Sequence, residues 1–196
     1  MSKLLPTIGI LTFIGLYFYS TTLYPGGSQV DANSVGFDWG NNLWCNLMSD
    51  EALNGDENPA SPVALTGIVI LCLSMTLFFF HFANYFEIDR NCRITIKIAG
   101  ALAMGSAVFI FTQYHDVMTT ILSICGVVGI IGIIRALFKN NLRFYMISGI
   151  ICMALVGINN LFYYSENLIK YLPVVQKVGF VLILGWTIAL NLKMID

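Results

Sequence analysis

Few residues in this chain have side chains suited to chemistry, and most lie at the ends of apolar runs. His115 titrates near neutrality and could serve as a general base, with Asp116 or Asp38 assisting, in an enzyme acting on a lipid or isoprenoid headgroup. Asp116 is poorly placed to orient its neighbour, because adjacent side chains diverge on a helix; its plainer role is to cap the helix that follows. A second set suits binding: Asp38, Trp39 and Asn42 in a polar-aromatic stretch, Asn160 near the end of an apolar run, and Gln176 and Lys177 just after Pro173. Asn160 and its neighbour Asn159 could equally bond adjacent helices, and Lys177 could snorkel to an interface. The two histidines, His81 and His115, fall at opposite ends of apolar runs, and the five cysteines include no C-x-x-C pair. The pattern therefore points to no metal and no cofactor.

The elements that must position these residues are hydrophobic. The composition is 57% hydrophobic and 11% charged, against about 25% charged in an ordinary soluble domain. Six runs, at residues 4–23, 63–86, 94–114, 117–138, 144–164 and 172–192, approach the ~20 apolar residues that cross a bilayer. They are continuous rather than alternating, and unpaired backbone is intolerable in lipid, so they read as helices and not strands. The expected fold is an all-α polytopic membrane protein: one membrane domain over residues 1–196, six transmembrane helices, and a structured extracytoplasmic loop between helices 1 and 2. The first run follows Lys3 but ends in Ser20-Thr21-Thr22-Leu23-Tyr24 without a small-residue cleavage pattern, so a retained helix is expected.

Lys3, Arg90, Arg93, Lys97, Arg135, Lys139, Arg143 and Lys193 share one side of this arrangement; only Lys170 and Lys177 fall on the other. The positive-inside rule then places both termini in the cytoplasm and the loop at 24–62 outside. Tyr17, Tyr19 and Tyr24 are expected as interfacial anchors. Gly100, Ala103, Gly105 and Ser106, facing Gly126, Gly129 and Gly132, predict a closely packed hairpin of the third and fourth helices. The near-neutral charge gives no reason to expect nucleic acid. Membrane lipids are the expected partners, together with a membrane protein partner, and the basic cytoplasmic face suits anionic headgroups.

The segment at 24–62 is too long for a structureless connection, and Phe37, Trp39, Leu43, Trp44, Leu47 and Met48 give it apolar side chains to bury. The recurrence of Trp39, Leu43 and Leu47 at helical spacing predicts a short amphipathic helix over 38–48, with Trp39 and Trp44 buried or at the interface. Topology gathers this loop, the His115 turn, Asn160 and the Gln176-Lys177 pair at one outer-leaflet region. An ion pair between Lys177 and Asp38 or Asp116 is expected there.

The stretches Asn42-Leu43-Trp44-Cys45-Asn46-Leu47-Met48, Asn54-Gly55, Asn58-Pro59-Ala60, His115-Asp116 and Gly157-Ile158-Asn159-Asn160 resemble a bacterial family of six-helix membrane proteins of unknown function, the DUF998 group, distantly akin to the Frag1/DRAM/Sfk1 type. The resemblance spans most of the chain from Tyr24 onward. It implies the six-helix fold and a bacterial inner-membrane location, and no reaction. The function expected is an integral membrane protein whose outer-leaflet site binds a lipid or amphiphile or serves a membrane complex. An enzyme acting on a headgroup and a purely structural subunit are the alternatives. The helix centres carry no ionisable residues, which argues against ion coupling at the midplane.

Overall fold

The structure, a computed structural model, describes residues 2–110 and 112–195, without the side chains of Ser2 and His115. Its α-helices are α1 (Leu5–Leu23), α2 (Ser61–Tyr85), α3 (Arg90–Ala107), α4 (His115–Lys139), α5 (Arg143–Tyr163) and α6 (Leu172–Lys193). Among the described residues there is no β-strand, only two isolated antiparallel bridges, Gly26 with Val35 and Glu51 with Glu57. Pro6, Pro62 and Pro173 each occupy a first helical turn, where the missing N–H is no loss and the fixed φ suits the helix.

Five helices, all but α3, are long and apolar enough to cross a membrane. The third run departs from expectation. The helix starts at Arg90, not at residue 94, because Asp89 caps it by accepting the Cys92 N–H at 2.9 Å. It stops at Ala107, and turns occupy 108–110 and 112–114 where helix was expected. With 18 residues it is about 27 Å long, and it carries Arg90, Arg93 and Lys97. Those three charges set α3 apart in composition from the five candidate spans.

The chain forms two compact units. The first comprises Met1–Leu11, Val69–Met153 and Ile183–Asp196. Its core sets Phe78, Phe79 and Phe82 of α2, and Phe86 just past its end, against Ile96 of α3, Ile133 and Leu137 of α4, and Trp186 and Leu190 of α6. Close approach is bought with glycine. A Cβ on Gly132 would lie 2.6 Å from Cγ1 of Ile96, one on Gly149 would lie 2.7 Å from Cζ2 of Trp186, and one on Gly100 would overlap the Phe79 ring. The expected hairpin packing thus holds at Gly129 and Gly132, whereas Gly105 and Gly126 face open space. Sequence reading missed the polar node of this unit. Asn191 is wholly buried, donates to the Lys3 carbonyl at 3.0 Å and to Thr7 Oγ1 at 2.9 Å, and has its Oδ1 3.4 Å from His81 Nδ1.

The second unit comprises Thr12–Ile68 and Ala154–Leu182. It contains the loop between α1 and α2, with Asp38, Trp39 and Asn42, and also Asn160, Gln176 and Lys177, the other residues expected to bind.

Candidate functional site

The loop is built on side-chain-to-backbone bonds. Asp38 makes an Asx turn: Oδ1 accepts from the Gly40 and Asn41 N–H groups at 2.9 and 3.1 Å, and Oδ2 accepts from Asn41 Nδ2 at 2.8 Å. Asn42, wholly buried, ties that turn to the loop's start. Its Oδ1 accepts the Asp38 N–H at 3.0 Å and its Nδ2 donates to the Gly27 carbonyl at 2.8 Å. Gly27 has φ +81°, and a side chain there would run into the backbone of Leu53 and Asn54, so only glycine lets these strands of loop meet.

A single 3-10 turn follows at Trp44–Met48. It replaces the amphipathic α-helix expected over 38–48, because Asp38 and Gly40 spend the first half of that segment on a tight turn. The Trp44 ring is sandwiched between Tyr17, at 4.8 Å, and Phe180, at 5.6 Å and nearly parallel. Its backbone N–H donates to Gln176 Oε1 at 2.9 Å. Trp39, expected buried or at the interface, is 43% exposed; it leans on Phe18 and Phe37, each at 5.4 Å.

Asn58 holds the loop's exit. Its Nδ2 donates to the carbonyls of Asn46, Leu47 and Ser49, and its Oδ1 accepts the Ala60 N–H at 3.1 Å. Ser61, at the start of α2, donates to the Met48 carbonyl at 3.0 Å. Tyr17 and Tyr24 are clamps rather than the interfacial anchors expected. Both are buried; the Tyr17 hydroxyl donates to Met48 Sδ at 3.0 Å and the Tyr24 hydroxyl accepts the Leu53 N–H at 3.0 Å. The Asn58-Pro59 pair was the legible signal, since Asn before Pro favours turn initiation. The partners of Tyr17 had no local signature.

Lys177 meets the loop through backbone, not through a carboxylate. Its ammonium donates to the carbonyl of Asn42 and, at 3.1 Å, to that of Pro173, and it stands 5.5 Å from the centre of the Phe37 ring. The expected ion pair with Asp38 is not formed, because the Asp38 oxygens are committed to their own turn. Those bonds, the Asn41 side chain first and then the Gly40 and Asn41 N–H groups, hold the Asp38 carboxyl below its usual value, with Lys177 adding attraction from further away.

Two polar atoms in the 3-10 turn have no hydrogen-bond partner among the described residues: the Trp44 Nε1 donor and the Asn46 Oδ1 acceptor. Their residues are 8% and 7% exposed.

Comparison with protein-family models, curated proteins and solved structures finds no match to this chain. The site must therefore be read from its own geometry.

Asp38, Trp39, Asn42, Gln176 and Lys177 belong to one cluster of the second unit. Asn160 belongs to the same unit, but its Nδ2 donates at 3.0 Å to Val156 of its own helix. His115 and Asp116 fall in the first unit. The His115 side chain lies outside the described residues. Asp116 is the second residue of α4 rather than its cap, which is Tyr114. Among the described residues no group of three His, Cys, Asp or Glu side chains has the arrangement to hold a metal ion.

Proposed function

We propose that this is an integral membrane protein whose first loop roofs a polar site at the outer leaflet, where it binds the headgroup of a lipid or other amphiphile or serves a membrane complex. The observation that carries this reading is uncompensated polarity beneath the loop. Among the described residues, Trp44 Nε1 and Asn46 Oδ1 are buried without partners, and no carboxylate lies within ion-pairing distance of Lys177. A buried unpaired donor or acceptor costs roughly 1–3 kcal/mol. A headgroup hydroxyl or phosphate oxygen that satisfied these groups would recover that energy as affinity. The aromatic wall of Phe37, Trp39 and Phe18 suits the apolar part of such a ligand.

A second reading, a structural subunit with the loop as a polar plug, is favoured by the completeness of the bonds at Asn42 and Asn58. Catalysis has less support, because Asp38 is spent on its turn. We further propose kinship with the DUF998 group, a bacterial inner-membrane location, cytoplasmic termini, and six crossings with α3 the shortest.

A photoactivatable phospholipid tests the binding reading. Crosslinks are expected within 37–48 and around Gln176, and should fall at least fivefold in Lys177→Gln. Labelling that ignores this substitution would leave the plug alone. Topology is read separately by an impermeant thiol reagent. Cys45 is exposed and should react from outside. Cys92 is buried, its Sγ 3.7 Å from the Gly132 carbonyl, so Glu87→Cys is the better cytoplasmic reporter.

A further inference from the structure

At the far end of α4 from His115 the first unit has a cleft of about 300 Å³. Its walls are Ile88 and Asp89 from the α2–α3 connection, Cys92 of α3, and Arg135, Ala136, Phe138 and Lys139 from the last turns of α4. The two cations stand four residues apart and so share a helix face. They differ from Arg93 and Lys97 of α3. Arg93 is tied down, its Nε donating to the Ala83 carbonyl at 3.0 Å, and Lys97 lies over the Phe80 ring at 5.7 Å. Arg135 and Lys139 make no hydrogen bond or ion pair within 4 Å among the described residues. The only acid in the cleft wall among the described residues, Asp89, already accepts the Cys92 N–H. Two cations against one carboxylate leave the cleft with a net positive charge.

Beside that charge the cleft is greasy. Phe138 is 68% exposed, and it lies in the last turn of a helix long and apolar enough to cross a membrane. Cations at the C-terminus of α4 also complement the helix dipole, but that requires neither a concavity nor an exposed aromatic rim. A free anion would gain nothing from Phe138, whereas a lipid offers a phosphate and an acyl chain together. From this combination of charge and apolar wall we infer that the cleft is a binding site for the phosphate headgroup of an anionic phospholipid, held by Arg135 and Lys139, with its chain against Phe138.

Asp89 gives the inference a signed test. Its charge opposes the phosphate, while asparagine caps a helix as well as aspartate does. Native mass spectrometry of the purified full-length protein, titrated with phosphatidylglycerol or phosphatidylcholine, reads retained lipid directly. Phosphatidylglycerol should be retained in preference to phosphatidylcholine. Arg135→Gln with Lys139→Gln should weaken its retention about 25-fold, at about fivefold per lost cation near a charged surface. Asp89→Asn should strengthen it about fivefold. Equal retention by the double variant would overturn the inference, as would weaker retention by Asp89→Asn, or phosphatidylcholine held as well as phosphatidylglycerol. Should the double variant fail to fold, Asp89→Asn decides alone: tightening supports the site, and no change or loss removes it.

Discussion

The two compact units keep order by different means. In the first, side chains interlock: aromatic rings of α2 and α6 fill gaps left by Gly100 and Gly149, and buried hydrogen bonding is concentrated at Asn191. In the second, a long loop is fixed chiefly by polar side chains that bond backbone: Asn42 to Gly27, Asn58 to three carbonyls, Gln176 to Trp44 and Lys177 to Asn42. The difference follows from what each segment must do. A helix satisfies its own backbone and has only its side chains left to pack. A loop has no internal ladder, so its N–H and C=O groups must be met by side chains. The loop's polar residues are thus scaffold first. The atoms left over, Trp44 Nε1, Asn46 Oδ1 and the Lys177 charge, are the ones a ligand could use.

Substitutions should separate the two regimes. Phe82 is wholly buried in the first unit, and Phe82→Ala should destabilise by about 3–5 kcal/mol in denaturant unfolding from micelles. It should leave amide exchange in the loop unaltered. Asn58→Ala should act in reverse, with a smaller global loss of about 2–3 kcal/mol and faster exchange across 46–60. If Phe82→Ala loosens the loop as much as Asn58→Ala does, the two units are one cooperative body.

Gly149→Ala presses a methyl onto Trp186, whose indole N–H donates to the Tyr145 carbonyl at 2.9 Å. A loss of about 1–2 kcal/mol and a shifted Trp186 emission are expected. Acid should have the smallest and most local effect. Asp38 has its folded value depressed below 3.8, so its contribution is full above the unfolded carboxylate value. That contribution is lost as pH falls through the lower folded value. Loop exchange should therefore quicken only below about pH 4, and Asp38→Asn should remove that dependence.

The helices were legible because their signal is redundant. Runs of twenty apolar residues tolerate errors of one or two at each end, and α1, α2, α4, α5 and α6 all lie within two residues of the expected bounds. At α3 that redundancy failed. Arg90, Arg93 and Lys97 break the apolar run, so the capping signal at Asp89 was the better guide to its start. The loop was legible in outline only. Trp39, Leu43 and Leu47 mimic a helical repeat, but the Asx turn of Asp38 overrides a spacing of that length. That Lys177 and Gln176 would meet the loop followed from topology. That they would bind backbone, leaving Lys177 without a carboxylate, depended on Asp38 already being occupied, and no pattern of spacing contains that.

The attachment of the loop to α6 is tested most directly at one amide. The Trp44 N–H donates to Gln176 Oε1, 132 residues away in sequence, and nothing local protects it. Hydrogen exchange in the native protein should find this amide slow, and Gln176→Ala should make it fast while amides in α4 keep their rates. Rapid exchange at Trp44 in the unaltered protein, or a rate indifferent to Gln176→Ala, would contradict the attachment and with it the site beneath the loop.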